Sequence, residues 1–481
     1  MSGVGGGAAV ASPLDDPHVG GLTFSGPTSG NLAAIYWNPA ALGLMRGNQV
    51  MVAGATHFAT TTVTRAAIDP TTGAPLAGGL APGTATASDM SQPVQWPPGP
   101  GSFLGISTDL GGDRFTLAFA TYTPYVQQIR FPTNATGDEP TRYHAIEVDL
   151  RNLALVPALA IRFGSDFRVG VAPGFMFSTG RLAFAHNTAL DTGSTSAAEN
   201  PGADARFDLD SGHGLGNAKF SVTLGGGIYF RRRALEFGLA YSSRPLGGDV
   251  PGVEVAAERN TVTAPGGAAV TCPGGPNGRS ERCVFADINY RLPDVWIGGV
   301  TLHLRPGLEV TAMVRWLWFH VHDRVDIRLT GPTLAAAGIP EHMVFSRGFN
   351  DVWDTRVRVS YWLRERVRLG AGLRFETSAV DATAVNAAAV DGFKVEPMVL
   401  AELQLGRRFW ISAGYGFTYM GTVTASPSVF DPTLATACAK AGGDVGNPGC
   451  QARASGRALP TAQGTYARTV HDLGLSMVAR F

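Results

Sequence analysis

No run in this sequence approaches the ~18 consecutive apolar residues of a membrane-spanning helix, which excludes a helical membrane protein. Charge is scarce and balanced: 38 Lys and Arg face 38 Asp and Glu, and charged residues make up only 16% of the chain. A nucleic-acid partner, which would ask for a basic stripe, is therefore not expected. No Gly-x-Ser-x-Gly elbow occurs and the ten histidines are scattered, so no catalytic constellation is visible. The cluster Gly212-His213-Gly214-Leu215-Gly216 lacks the strand-turn-helix setting of a phosphate loop. Only four cysteines are present, Cys272, Cys283, Cys438 and Cys450. Their spacings do not match the short gaps of a zinc site. Within-pair bridges, Cys272–Cys283 and Cys438–Cys450, are the simplest connectivity and imply an oxidising compartment; free thiols are the alternative. Nothing in the sequence asks for an enzyme, a cofactor or a metal.

What is present is β-strand pattern. In the last eleven residues, Leu473, Leu475, Met477, Ala479 and Phe481 form one face, and Asp472, Gly474, Ser476, Val478 and Arg480 the other. That period of two marks a strand with one apolar face. Such a bare strand is an aggregation hazard in water, but it closes naturally against the first strand of a membrane barrel, with its apolar face on lipid. A length of 481 residues would suggest about three soluble domains, yet one closed sheet can absorb it all. High glycine, 62 residues, and low charge agree with an all-β transmembrane antiparallel barrel.

Alternating segments of a length to span a bilayer as tilted strands fall at 49–66, 101–109, 114–126, 141–163, 167–186, 217–230, 234–244, 293–304, 307–329, 352–363, 366–377, 395–405, 408–422 and 466–481. They number about fourteen, an even count as bacterial outer-membrane barrels require. Short turns (Gly111-Gly112-Asp113, Gly164-Ser165-Asp166, Arg231-Arg232-Arg233, Arg305-Pro306, Arg364-Glu365, Gly406-Arg407) alternate with long connections at 67–100, 127–140, 187–216, 245–292, 330–351, 378–394 and 423–465. Short periplasmic turns and long extracellular loops are the barrel rule, and they put both chain ends on the periplasmic side. A set of soluble sandwiches would not alternate in this way.

Within strands, Val367, Leu369, Ala371, Leu373 and Phe375 oppose Arg366, Arg368, Gly370, Gly372, Arg374 and Glu376. Leu235, Phe237, Leu239 and Tyr241 oppose Glu236, Gly238 and Ala240. The apolar series is assigned to lipid and the mixed series to the lumen. Trp316, Trp318, His320 and His322 fall in a lipid-facing series: the tryptophans as an interfacial girdle, His320-Val321-His322-Asp323 as a rim rather than a metal site. Pro124 and Pro157 mark interrupted ladder bonding. Met1–Ala11 lacks the basic and apolar regions of an export signal, although Ala9-Val10-Ala11 suits the tail of a cleavage site. Residues 1–11 are therefore read as a remnant, the working signal sequence being expected elsewhere. Residues 12–48 are not strand-like, and Asn31–Trp37 reads as a short helix stopped by Asn38-Pro39. A barrel of this size is too wide for its own side chains to fill, so 12–48 is expected inside it and 49–481 forms the wall and loops.

The stretch Leu32-Ala33-Ala34-Ile35-Tyr36-Trp37-Asn38-Pro39-Ala40-Ala41-Leu42 resembles the N-terminal motif of the FadL/TodX-type outer-membrane transporters of hydrophobic compounds. Phe115–Tyr125, Leu292-Pro293-Asp294, Val352-Trp353-Asp354, Arg407–Met420 and the final Phe481 are similar to the same family in the same order. Asn31 and Ala387–Phe393 depart from its pattern. The resemblance implies a monomeric fourteen-strand barrel in the bacterial outer membrane with an N-terminal hatch. It implies passive uptake of long-chain fatty acids or other hydrophobic molecules, caught among outer loops, passed into an apolar lumen and released laterally. Asn38, Pro39 and Ala40 are the hatch residues on this reading. Met313, Arg315, Leu317 and Phe319 on one strand, and Met398 and Leu400 on another, form an inward apolar stripe between isolated charges. Such a stripe suits an amphipathic ligand, with Arg315, Arg358 and Arg374 as partners for a carboxylate head. The structural alternative for these arginines is an Arg/Glu network that stiffens the wall. The functional alternative is an adhesive barrel whose disulfide-bonded loops bind partners.

Overall fold

The structure, a computed structural model, describes residues 14–66, 83–91, 101–187, 202, 204–212, 218–246, 252–264, 284–331, 334–335, 339–363, 366–426, 428 and 462–481. The four cysteines and Met1–Ala11 lie outside the described residues. Fourteen strands close into one antiparallel barrel. They are β1 (Gln49–Arg65), β2 (Phe103–Thr108), β3 (Phe115–Arg130), β4 (Glu147–Phe163), β5 (Phe167–Asn187), β6 (Lys219–Arg232) and β7 (Leu235–Ser242). The second half comprises β8 (Val295–Arg305), β9 (Leu308–Leu317), β10 (Val352–Leu363), β11 (Val367–Glu376), β12 (Lys394–Leu405), β13 (Phe409–Ala425) and β14 (Gly464–Arg480). Closure is between β14 and β1, in register from Gln49↔Arg480 to Arg65↔Gly464. The alternating C-terminal strand therefore has no free edge.

Each alternating segment of the sequence overlaps one wall strand. The alternation persists because the wall has two different solvents, lipid outside and a polar interior within. Leu473, Leu475 and Met477 are about half exposed, at 49%, 51% and 50%, while Asp472 and Ser476 are buried inside. Of the two girdle tryptophans, Trp316 stands in a row with Tyr241, Trp296 and Trp353, directly opposite one another across β7, β8, β9 and β10, whereas Trp318 lies beyond the end of β9. Trp316 stacks on Trp353 at 5.2 Å between ring centroids.

Segment 307–329 is corrected. β9 ends at Leu317; Trp318 leaves the extended conformation and Phe319–Val321 forms a 3-10 turn. Arg324–Thr330 then joins a separate four-stranded sheet with Val253–Ala257, Phe285–Tyr290 and His342–Ser346. Period-two alternation marks a strand but not the sheet it joins. The turn also removes His322 from the lipid-facing series: it is buried and bonds through Nδ1 to the Arg291 carbonyl at 2.7 Å. Phe319 packs on Phe349 at 5.9 Å rather than continuing the face of β9.

Two of the breaks in the regular ladder of the wall bear on the site. On β1, His57–Arg65 pair with Gly83–Ser91 whereas Gln49–Ala53 pair with β2. Gly54, Ala55 and Thr56 have no ladder partner on that side among the described residues. Around β4 the two prolines act: Pro124 sits in a register shift of β3 between Tyr122 and Tyr125, and Pro157 lies where the β4–β5 ladder is interrupted, between Leu155↔Phe175 and Leu159↔Val171.

Candidate functional site in the lumen

Residues 14–48 lie along the inward face of the wall. The segment starts at the Pro124 irregularity, where Asp16 N donates to the Pro124 carbonyl at 3.0 Å and Val126 N to that of Leu14 at 2.8 Å. It then follows three windows, each made by two glycines directly opposite each other on neighbouring strands. Leu22 occupies Gly414↔Gly474, Pro27 occupies Gly238↔Gly299, and Asn38-Pro39 occupies Gly170↔Gly227. A Cβ built on any of these glycines would overlap the segment. The inward glycines thus supply backbone-deep sockets that no other residue could leave open.

Asn38 ends the helix Ala34–Trp37 in an extended conformation and caps the 3-10 turn Pro39–Leu44 by accepting from Ala40 N at 3.1 Å. Its Nδ2 donates to the Pro27 carbonyl at 2.8 Å and to the wall carbonyl of Ile228 at 3.0 Å. Pro39 and Ala40 face Gly170. Burial pushes the Tyr36 hydroxyl well above the usual phenol range, so it stays protonated. Burial likewise raises Asp16, opposed by the nearby His57 and His18 rings.

Met313, Arg315, Leu317, Arg358, Arg374, Met398 and Leu400 lie in the inward series, whereas Phe319 does not and Arg366 is exposed ahead of β11; most of the inward residues meet residues 14–48. Met398 and Leu400 form an apolar cluster with Leu22 and Phe24. Met313, Arg358 and Met398 line a cavity of about 30 Å³ against Leu22, Thr23, Ser25 and Trp37. Leu317, at the end of β9, is buried in the large core cluster. Arg315 is wholly buried and bidentate to Asp15 at 2.7 and 2.8 Å, with Asp354 at 3.0 Å and the Tyr36 hydroxyl at 2.8 Å. Arg374 bonds Asp354 at 2.9 Å and Glu396 at 3.0 Å, and contacts Glu376. Both guanidiniums are thus matched by carboxylates already in place. Arg358 differs: it donates to the carbonyls of Thr23 and Ser25, lies 5.3 Å over the Phe24 ring, and its Nε has no partner among the described residues.

The residues that sequence reasoning missed are the acids. Asp15 and Arg315 are 300 residues apart, and only the inward parity of Asp354, Glu396 and Asp472 hinted at their place.

A barrel with lipid-exposed alternation, a tethered N-terminal segment and an Asn-Pro-Ala turn is matched by a family model, "Outer membrane protein transport protein (OMPP1/FadL/TodX)", over residues 18–392. The chain belongs to the FadL/TodX family. It is therefore an outer-membrane transport protein of the class that handles hydrophobic compounds. Solved structures with the FadL/TodX barrel agree in fold. A Pseudomonas aeruginosa FadL homologue is similar with a TM-score of 0.69 and 13% identity, covering 98% of this chain and 100% of the other. The Pseudomonas putida toluene transporter TodX gives 0.61 and 13%, covering 100% of both chains. The Ralstonia pickettii toluene transporter TbuX gives 0.59 and 11%, covering 96% and 99%. No curated protein sequence matches the chain.

Proposed function

We propose that this FadL/TodX-family barrel takes up long-chain fatty acids passively, with residues 14–48 as a hatch. The observation that carries this reading is the occupancy of the inner wall. Leu22 and Phe24 cover Met398 and Leu400, and only about 30 Å³ remains beside Met313. Ligand sites for molecules of this size measure ~300 Å³ or more, so an alkyl chain must take the place of these hatch side chains. Arg358 suits the head group, since a carboxylate could replace the two carbonyls it now holds. Arg315 holds the hatch and Arg374 braces the wall instead. Ligand would leave toward the bilayer at Gly54–Thr56, where β1 lacks ladder partners on one side among the described residues.

The relatives named for toluene support a second substrate class, uncharged monoaromatic hydrocarbons. Arg358 separates the two. Cells lacking their own outer-membrane fatty-acid transporter would carry this barrel with a functional export signal, and uptake of labelled oleate and toluene would be measured. Oleate uptake that falls in Arg358→Met and in Asn38→Ala/Pro39→Ala, with the barrel inserted, supports the fatty-acid hatch. Toluene uptake without oleate uptake moves the substrate to hydrocarbons. Uptake of neither rejects the transport substrate classes proposed.

A further inference from the structure

One cluster between hatch and wall has no part in carrying a hydrophobic ligand. His18 from the N-terminal segment meets His57 of β1, Glu396 of β12 and Asp472 of β14, and none is more than 2% exposed. The ligand-type atoms of His18, His57 and Asp472 all lie within 4.8 Å of one another. His18 Nε2 stands 3.3 Å from Glu396 Oε1 and 3.8 Å from Asp472 Oδ2, and His57 Nδ1 touches Asp472 Oδ1. A cavity of about 10 Å³ borders the two histidines and Asp472. That is close to the space one water or one ion occupies.

Two features set this cluster apart from an ordinary histidine–carboxylate hydrogen-bond network. First, Glu396 Oε1 is buried without a hydrogen-bond donor among the described residues, although His18 Nε2 is 3.3 Å away. The approach is not along an N–H bond. Second, the ion-pair chain that ends here is short of positive charge. With Asp16 and Arg468, which face the same histidines and cavity, it joins seven carboxylates, Asp15, Asp16, Asp354, Glu376, Asp391, Glu396 and Asp472, to five cations, Arg315, Arg356, Arg374, Lys394 and Arg468, two positive charges short. Two imidazolium rings could fill the gap, but they would put like charges 5.5 Å apart, between ring centroids, in a dry site. One divalent ion supplies both charges and leaves the imidazoles neutral, the form that ligates metal.

We propose that His18, His57 and Asp472, with Glu396 beside His18, bind a divalent transition-metal ion. Two imidazoles with a carboxylate suit zinc and its neighbours better than calcium or magnesium, which prefer all-oxygen sets. Since only His18 belongs to the N-terminal segment, the ion staples that segment to β1 and β14. Metal binding stands independently of the transport reading; only its effect on gating rests on it.

The full-length barrel, purified in detergent without a histidine tag and stripped with EDTA, would be titrated with zinc chloride and with cobalt chloride. Bound metal is counted by mass spectrometry after desalting, and cobalt coordination is read from its visible absorption. One zinc per barrel is expected, with the intense visible bands of four-coordinate cobalt. His18→Ala and Asp472→Asn should weaken binding by at least about tenfold, the loss that even an outer partner of a ligand brings. His320→Ala, on the exposed rim, should change nothing. Heat-modifiable gel migration establishes that each variant is folded; if Asp472→Asn is not, His18→Ala carries the test, because it lies on the segment rather than the wall. No zinc retained by the native barrel overturns the site. Equal retention by a folded His18→Ala/His57→Ala double variant overturns it as well.

Discussion

Arg315 shows how a single inward side chain can hold a separate segment to the wall. Its bidentate pair with Asp15 is wholly buried, and breaking such a pair by removing one partner costs ~3–5 kcal/mol because the other charge is stranded. Arg315 retains Asp354, so the loss in Asp15→Ala should fall on docking of residues 14–48 and not on the barrel. The expected result is faster proteolysis of the N-terminal segment and raised single-channel conductance, with heat-modifiable barrel migration unchanged. Asp15→Asn/Arg315→Met, which removes both charges, should restore part of the closure. If the double variant is as leaky as Asp15→Ala, the pair does not hold the segment. At this scale the sequence was half legible. Inward parity placed Arg315, Arg358 and Arg374 correctly, since a strand side chain has only two faces to choose from. It could not say that Arg315 and Arg374 already have carboxylate partners, because those partners arrive from distant strands and from the N-terminal segment.

At the scale of elements, wall strands were readable and their ends were not. Lipid on one side and charges on the other enforce alternation for as long as the strand lies in the membrane. Beyond it, Arg324–Thr330 alternates just as well against a different sheet, which is why 307–329 read as one strand. The glycines on the inner faces carried a further signal. Gly238 and Gly370 stood out as lumen-facing, but not that Gly238 pairs across strands with Gly299, as Gly414 does with Gly474, to make sockets. Those sockets predict the outcome of adding a side chain. Gly414→Val suits a strand but collides with the Leu22 backbone, and Gly238→Val collides with Pro27. Both should leave the barrel folded and displace the segment, seen as conductance several times that of the native protein. Gly421→Val is the control, because nothing lies within 4 Å of a Cβ there. Unchanged conductance in the two socket variants would mean that the segment is not seated as the hatch reading requires.

At the scale of the whole molecule, the bilayer explains why so much of the architecture was legible. It fixes strand length, demands closure and allows only short connections at one rim, so strand count and connection pattern follow from counting. What fills the barrel obeys no such rule. A fourteen-strand wall encloses more space than its side chains occupy, and on the hatch reading the buried residues 14–48 take it up. The same wall has a polar inner face rich in Asp, Glu and Arg, which water can solvate if the segment leaves. Barrel stability and hatch docking should therefore be separable. Deletion of residues 14–46, with the export signal joined ahead of Gly47, should give a barrel that still inserts and shows heat-modifiable migration. Cells carrying it should become sensitive to vancomycin, and cells carrying the native barrel should not. Oleate uptake should lose its dependence on Arg358, because polar solutes and detergent-like molecules then pass through one open, water-filled pore. Selectivity for a hydrophobic ligand would thus reside in the contest between that ligand and Leu22 and Phe24 for the same wall. A barrel that cannot fold without residues 14–46 would instead make the segment part of the wall's own core, and the hatch would have to be sought in the outer connections.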